Sequence, residues 1–143
     1  MEKDSNFIEI VNSKKIWAIG SIHSRLEAFN SIKKHLLQNF KEGDFLVFLG
    51  NVIGLGVNSK ETLTSVIDLR NKLMAKFLLN PKHIIFLRGS QEEMFLKLLQ
   101  LQTAPNPSDI VLWMFEHGVD KTIQSYGFDA KELVDISSQG TLS

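Results

Sequence analysis

The sequence contains no cysteine, so it has no disulfide framework, thiolate metal site or cysteine nucleophile. It also lacks net charge: sixteen basic residues balance sixteen acidic ones. With no long run of either sign, broad electrostatic binding to nucleic acid or to an anionic membrane is not expected. Long hydrophobic runs are missing too. The longest apolar stretches, FLVFLG at 45–50 and HIIFLRG at 83–89, fall far short of a membrane span. The opening MEKDSNFIEIVNSKK carries acids and has no apolar core of a secretory signal. A cytoplasmic location is the expectation. What is present is the composition of an ordinary globular domain, 143 residues long with 43% hydrophobic and 22% charged residues, enough for one core.

Three similar units run along the chain. KIWAIG at 15–20 is a short β-favouring run that stops at glycine. Behind it, Leu26, Phe29, Ile32, Leu36, Leu37 and Phe40 recur at helical spacing. DFLVFLG at 44–50 is continuously apolar, as expected of a strand covered on both faces. A helix follows with Leu63, Val66, Ile67, Leu73, Met74 and Phe77 on one face, Asn58 or Ser59 as its cap, and Asn80-Pro81 as its stop. The third unit is HIIFLRG, then a helix whose stripe is Met94, Phe95, Leu98 and Leu99.

Strand, polar loop and helix in repetition predict an α/β fold with a parallel sheet core flanked by helices. Same-handed crossovers put the loops at 20–25, 50–56 and 88–92 on one edge of the sheet, where open α/β folds bind ligands. Downstream, Ser108 is a plausible helix N-cap, one helix ends near Gly118, and DKTIQSYG reads as a further short helix stopped by Gly127. The stretch from Asp129 onward is uninformative. Trp17 and Trp113 are expected in the core, and His35 and His83 facing solvent or flanking strands. No low-complexity segment or second domain emerges, so 1–143 reads as one domain.

The loops read GSIHS, GNVIGLG and RGSQE in order. They resemble the leading motifs of the calcineurin-like metallophosphoesterases, G-D-[IV]-H-G, G-D-x-[IV]-[DG]-R-G and G-N-H-[ED], in particular the serine/threonine protein phosphatase branch. The LW at 112–113, HGVDKTIQSYG and LEAFNSIKKHL are similar to stretches of bacterial phosphatases and diadenosine-tetraphosphate hydrolases. The resemblance implies the N-terminal half of a four-layer α/β/β/α fold and an ancestral activity on phosphate esters. It also implies a pair of Mn-, Fe- or Zn-type divalent ions that activate water.

At the positions matching the family's metal ligands stand Ser21, His23, Asn51 and Ser90. Only His23 keeps the family's residue type. Gln91 occupies the place of the general acid and Leu55 that of the phosphate-holding arginine. A neutral amide has no useful pKa for proton delivery, and serine and asparagine oxygens serve hard cations mainly as auxiliaries to carboxylates. No metal cofactor is therefore expected, and no catalytic or metal set is intact. Arg25 and Arg88 remain as candidates for holding an anion. Glu92 and Glu93 suit the start of a helix, and the glycines at 50, 54 and 56 suit loop turns.

Three functions stay open at this point. The first is a non-catalytic pseudo-phosphatase that binds a protein partner or phosphorylated ligand at the old cleft or an exposed sheet edge. The second is an active phosphoprotein or dinucleoside-polyphosphate phosphatase with an altered site; the third is a structural or assembly module. The family continues into a further strand layer bearing two more histidine ligands, for which His117 lies too early. The chain is accordingly expected to be incomplete or to lack the second sheet, leaving a face or an edge of the first sheet open.

Overall fold

Short apolar runs alternating with longer amphipathic ones set the architecture. The computed structural model describes residues 7–139. In chain order come β1 (Ile16–Ile19), α1 (Leu26–Asn39), β2 (Phe45–Phe48), α2 (Ser59–Phe77), β3 (Ile84–Phe86) and α3 (Ser90–Leu98). Three more helices follow, α4 (Pro107–Glu116), α5 (Val119–Ser125) and α6 (Ala130–Ser138). The strands form one parallel sheet in the order β1-β2-β3. Trp17 sits beside Leu46 and Leu46 beside Ile84, while Ile19, Phe48 and Phe86 form a second row. The class is α/β, as expected. Among the described residues no helix is long and apolar enough to cross a membrane.

Period-two alternation divides the sheet into unlike faces. One face carries Trp17, Ile19, Leu46, Phe48 and Ile84. These pack with Phe29, Leu36 and Phe40 from α1 and its C-terminal cap, and with Val66, Leu69 and Leu73 of α2. The other face carries Phe45, Val47 and Ile85, covered by Ile10 from the N-terminal strap. All four residues of β2 are buried, but a strap rather than a helix supplies the second cover. Consecutive parallel strands laid down in one direction, with crossovers of one hand, leave both connecting helices on the same side. Ile16, Leu49 and Leu87 consequently stay about half exposed.

The remaining helices build a second apolar cluster around Met94, Met114, Val119 and Ile123. Pro107 opens α4 after Asn106, so Asn106 and not Ser108 is the N-cap; a first-turn proline has no N–H to leave unsatisfied. The segment after Asp129 forms α6, begun by the Asp129 carboxylate accepting the Lys131 N–H at 2.9 Å.

Several side chains depart from expectation. Trp113 is half exposed, while Ile32, Ile67 and Leu99 also face outward. In α2 the buried line runs Thr62, Val66, Leu69 and Leu73, a stripe that turns Ile67 to solvent and admits a threonine to the core. Leu99 lies past the end of α3, and that accounts for its exposure. Trp17 is half-buried at the sheet margin, its indole N–H donating to Asp44 at 2.9 Å and its ring under the Lys15 ammonium.

Candidate functional site

Each strand ends in a loop at the same sheet edge, and backbone hydrogen bonds join the first two loops directly. The Ile22 and His23 N–H groups both donate to the Asn51 carbonyl, at 2.9 and 2.8 Å, and Ser24 N–H donates to Val52 at 2.9 Å. The second and third loops approach even more closely. A Cβ on Gly50, whose φ is +96°, would overlap the Gly89 backbone, and one on Gly89 would strike the Asn51 side chain. Both positions therefore need glycine.

Glu92 ties the second and third loops together. Its carboxylate accepts the N–H groups of Asn51 and Val52 at 2.7 Å each and of Gly89 at 2.8 Å. Helix-dipole preference alone explains an acid here, but the structure gives Glu92 a larger part: it is the shared acceptor for two loops. Charge-assisted bonds of this kind are roughly twice as strong as neutral ones.

Asn51 supplies the complementary half. Gly89, at the N-cap of α3, has no side chain with which to cap the helix. The Asn51 amide oxygen does so from the neighbouring loop, accepting the Gln91 N–H at 3.0 Å and the Ser90 hydroxyl at 3.3 Å. Its amide nitrogen donates to the Ser21 hydroxyl at 3.3 Å. Ser21, Asn51 and Ser90, one residue from each loop, are thus brought together as a chain of neutral hydrogen bonds. The backbone there is strained: of six non-glycine residues with left-handed φ among those described, four are His23, Ser24, Asn51 and Leu55. Such outliers concentrate where surrounding structure over-determines the chain.

The other candidates lie elsewhere. Gln91 is buried below the loop tips, its amide N–H donating to the His117 carbonyl at 2.7 Å. It links α3 to the C-terminal helices, and a Cβ on Gly54 would overlap it. Leu55 stands exposed on a left-handed backbone, its N–H donating to Gly118 at 3.2 Å. Arg88 is exposed and pairs with Glu93 at 3.2 Å; Arg25 is exposed. Neither arginine hydrogen-bonds the serine–asparagine chain. His23 is half-buried, and its Nδ1 is buried without a hydrogen-bond partner.

Sequence reading missed a hydroxyl relay beneath these loops. Ser24 and Ser59 are 2.5 Å apart and Ser59 and Thr122 3.1 Å apart, all three buried. Gly54 N–H also donates to Ser59 at 3.3 Å. Ser59 was a candidate cap for α2, yet it serves as the junction of the first loop, the second loop and α5. Among the described residues no group of three or more His, Asp or Glu is placed to hold a metal ion. Comparison with family models, with curated proteins and with solved structures gave no match.

Proposed function

We propose that this chain is a calcineurin-like metallophosphoesterase relative that has exchanged its metal pair for internal hydrogen bonds. On this reading it is a non-catalytic, cytoplasmic pseudo-phosphatase that binds or regulates a partner. Its sheet and helices would be the N-terminal half of the four-layer fold. Two dications held close together need anionic ligands, one of them shared, to offset their repulsion. The donors at these loop tips are two hydroxyls, an amide and one imidazole nitrogen. Glu92, the nearby carboxylate, spends both oxygens on backbone N–H groups. This donor set does not fit a pair of divalent ions.

One observation carries the reading. Asn51, at the position of the family's bridging carboxylate, bonds to Ser21 on one side and caps α3 on the other. The amide makes both contacts at once, its N–H donating and its oxygen accepting, while bringing no negative charge to the loops. The loop cluster is therefore held together by the same substitution that removes the anionic bridge. The burial of Gln91 against the His117 carbonyl adds support, since it sets the side chain at the general-acid position in a structural role.

The test is turnover. The purified chain, supplied with Mn²⁺, is offered p-nitrophenyl phosphate, a phosphopeptide and diadenosine tetraphosphate. The proposal expects hydrolysis no faster than the buffer blank for all three. Turnover above the blank that His23→Ala removes would establish the active phosphatase instead.

A further inference from the structure

The sheet ends at β3, whose outer edge no strand covers among the described residues. In the observed register Leu87 N–H donates to the Phe48 carbonyl at 2.9 Å. Alternation then turns the N–H and C=O of Phe86 and the C=O of Ile84 away from β2. The Ile84 N–H is already spent on Pro81. Beside this edge, Phe7, Ile8 and Val11 of the strap and Ile84, Ile85 and Phe86 wall a cleft of about 1110 Å³.

We infer that the occupant of this edge is a second copy of the same chain, its β3 antiparallel to the first about a two-fold axis at Ile85. The outward groups suit that symmetry. Phe86 N–H of each copy reaches the Ile84 carbonyl of the other, giving two reciprocal bonds and one continuous sheet of doubled width. Such an isologous contact uses one patch on both subunits and closes on itself.

Area supports the choice. Phe7, Ile8 and Val11 are 86%, 58% and 56% exposed, and Phe86 and Leu87 are 45% and 47% exposed. At roughly 100 Å² for each half-exposed large side chain, these leave about 500–600 Å² of apolar surface per copy. A standard interface takes about 800 Å² from each partner, a little over half of it apolar. The two copies bring no opposing net charge, because the chain sums to zero. The two-fold axis stands normal to the sheet, so both straps lie on the same side and their Phe7 and Ile8 side chains meet across it. This association stands apart from the phosphatase reading and survives its failure.

Sedimentation equilibrium of the full chain tests it, with Phe86→Lys, Ile8→Glu and a control, Leu112→Lys, whose side chain is 46% exposed on α4. A concentration-dependent dimer is expected for the natural chain and for the control. Phe86→Lys and Ile8→Glu should each weaken it by about thirtyfold or more. Far-ultraviolet circular dichroism verifies folding, and Ile8→Glu carries the test if Phe86→Lys fails to fold. A chain that is monomeric at high micromolar concentration overturns the inference. So does a dimer that withstands both edge variants, or one that the control disrupts equally.

Discussion

The helix-covered face of the sheet and the loops at its carboxyl edge are built by opposite rules. Under the loops, Phe29, Leu46, Phe48, Val66, Leu69 and Leu73 are wholly or almost wholly buried and hold by packing alone. At the edge, Asn51 and Glu92 hold three loops by aimed polar contacts on strained backbone. Packing tolerates exchange of one apolar residue for another of similar volume. A buried polar network tolerates far less, since each lost partner leaves an unmatched group. Loops that carry such polar contacts therefore need specific partners in order to cohere. Here Asn51 and Glu92 provide them.

Two substitutions set the rules against each other. Phe29→Ala, in the packed layer, should cost about 3–5 kcal/mol in denaturant unfolding. Glu92→Ala should cost about 2–3 kcal/mol by leaving its backbone donors unmatched. Amide exchange separates them: Glu92→Ala should speed exchange at Asn51 and Val52 while Ile85 stays protected. Equal loosening of all three positions would erase the distinction between loop and layer.

A smaller effect is expected where residue type and backbone conformation conflict outside the loops. Leu78, at the C-terminal cap of α2, has φ of +49° and a side chain 91% exposed. Leu78→Gly should raise stability by about 0.5–1 kcal/mol, because left-handed backbone suits glycine and the side chain packs on nothing. A loss in thermal unfolding would mean that the exposed leucine has a role the strain conceals.

The smallest effect concerns pH. Hydrogen bonds from Lys33 and then Lys72, at 2.7 and 2.8 Å, hold the Asp68 carboxyl below the ordinary carboxylate value. A depressed folded pKa stabilises above the unfolded value and loses that contribution as pH falls through the folded one. Exposure and salt keep it minor. Acid titration of stability below about pH 4 should be slightly shallower in Asp68→Asn than in the natural chain. An identical acid limb would leave this ion pair without a stabilising share.

Much of this was legible in the residues. The strand runs at 15–20, 44–50 and 83–89 enclose the observed strands, and the expected loop convergence holds at the level of individual bonds between Ser21, Asn51 and Ser90. What escaped was long-range polar pairing. Spacing cannot reveal that Ser59 meets Thr122 or that Gln91 meets the His117 carbonyl, because those partners lie far along the chain. A signal for the cross-loop cap was present: Gly89 stands three residues before Glu92, where a capping box would place serine or threonine. The missing hydroxyl pointed to a cap from elsewhere. Trp113 was misplaced for a different reason, since hydrophobicity ranks a tryptophan as core without telling which side of a short helix it occupies.

Calorimetric titration of the purified chain with Mn²⁺, repeated as thermal unfolding with and without the ion, reaches the central claim most directly. Neutral loops bonded to one another should give no saturable heat and no shift in the unfolding midpoint. Saturable uptake of two ions per chain, with a midpoint that rises with Mn²⁺ and loses that rise in His23→Ala, would contradict the account.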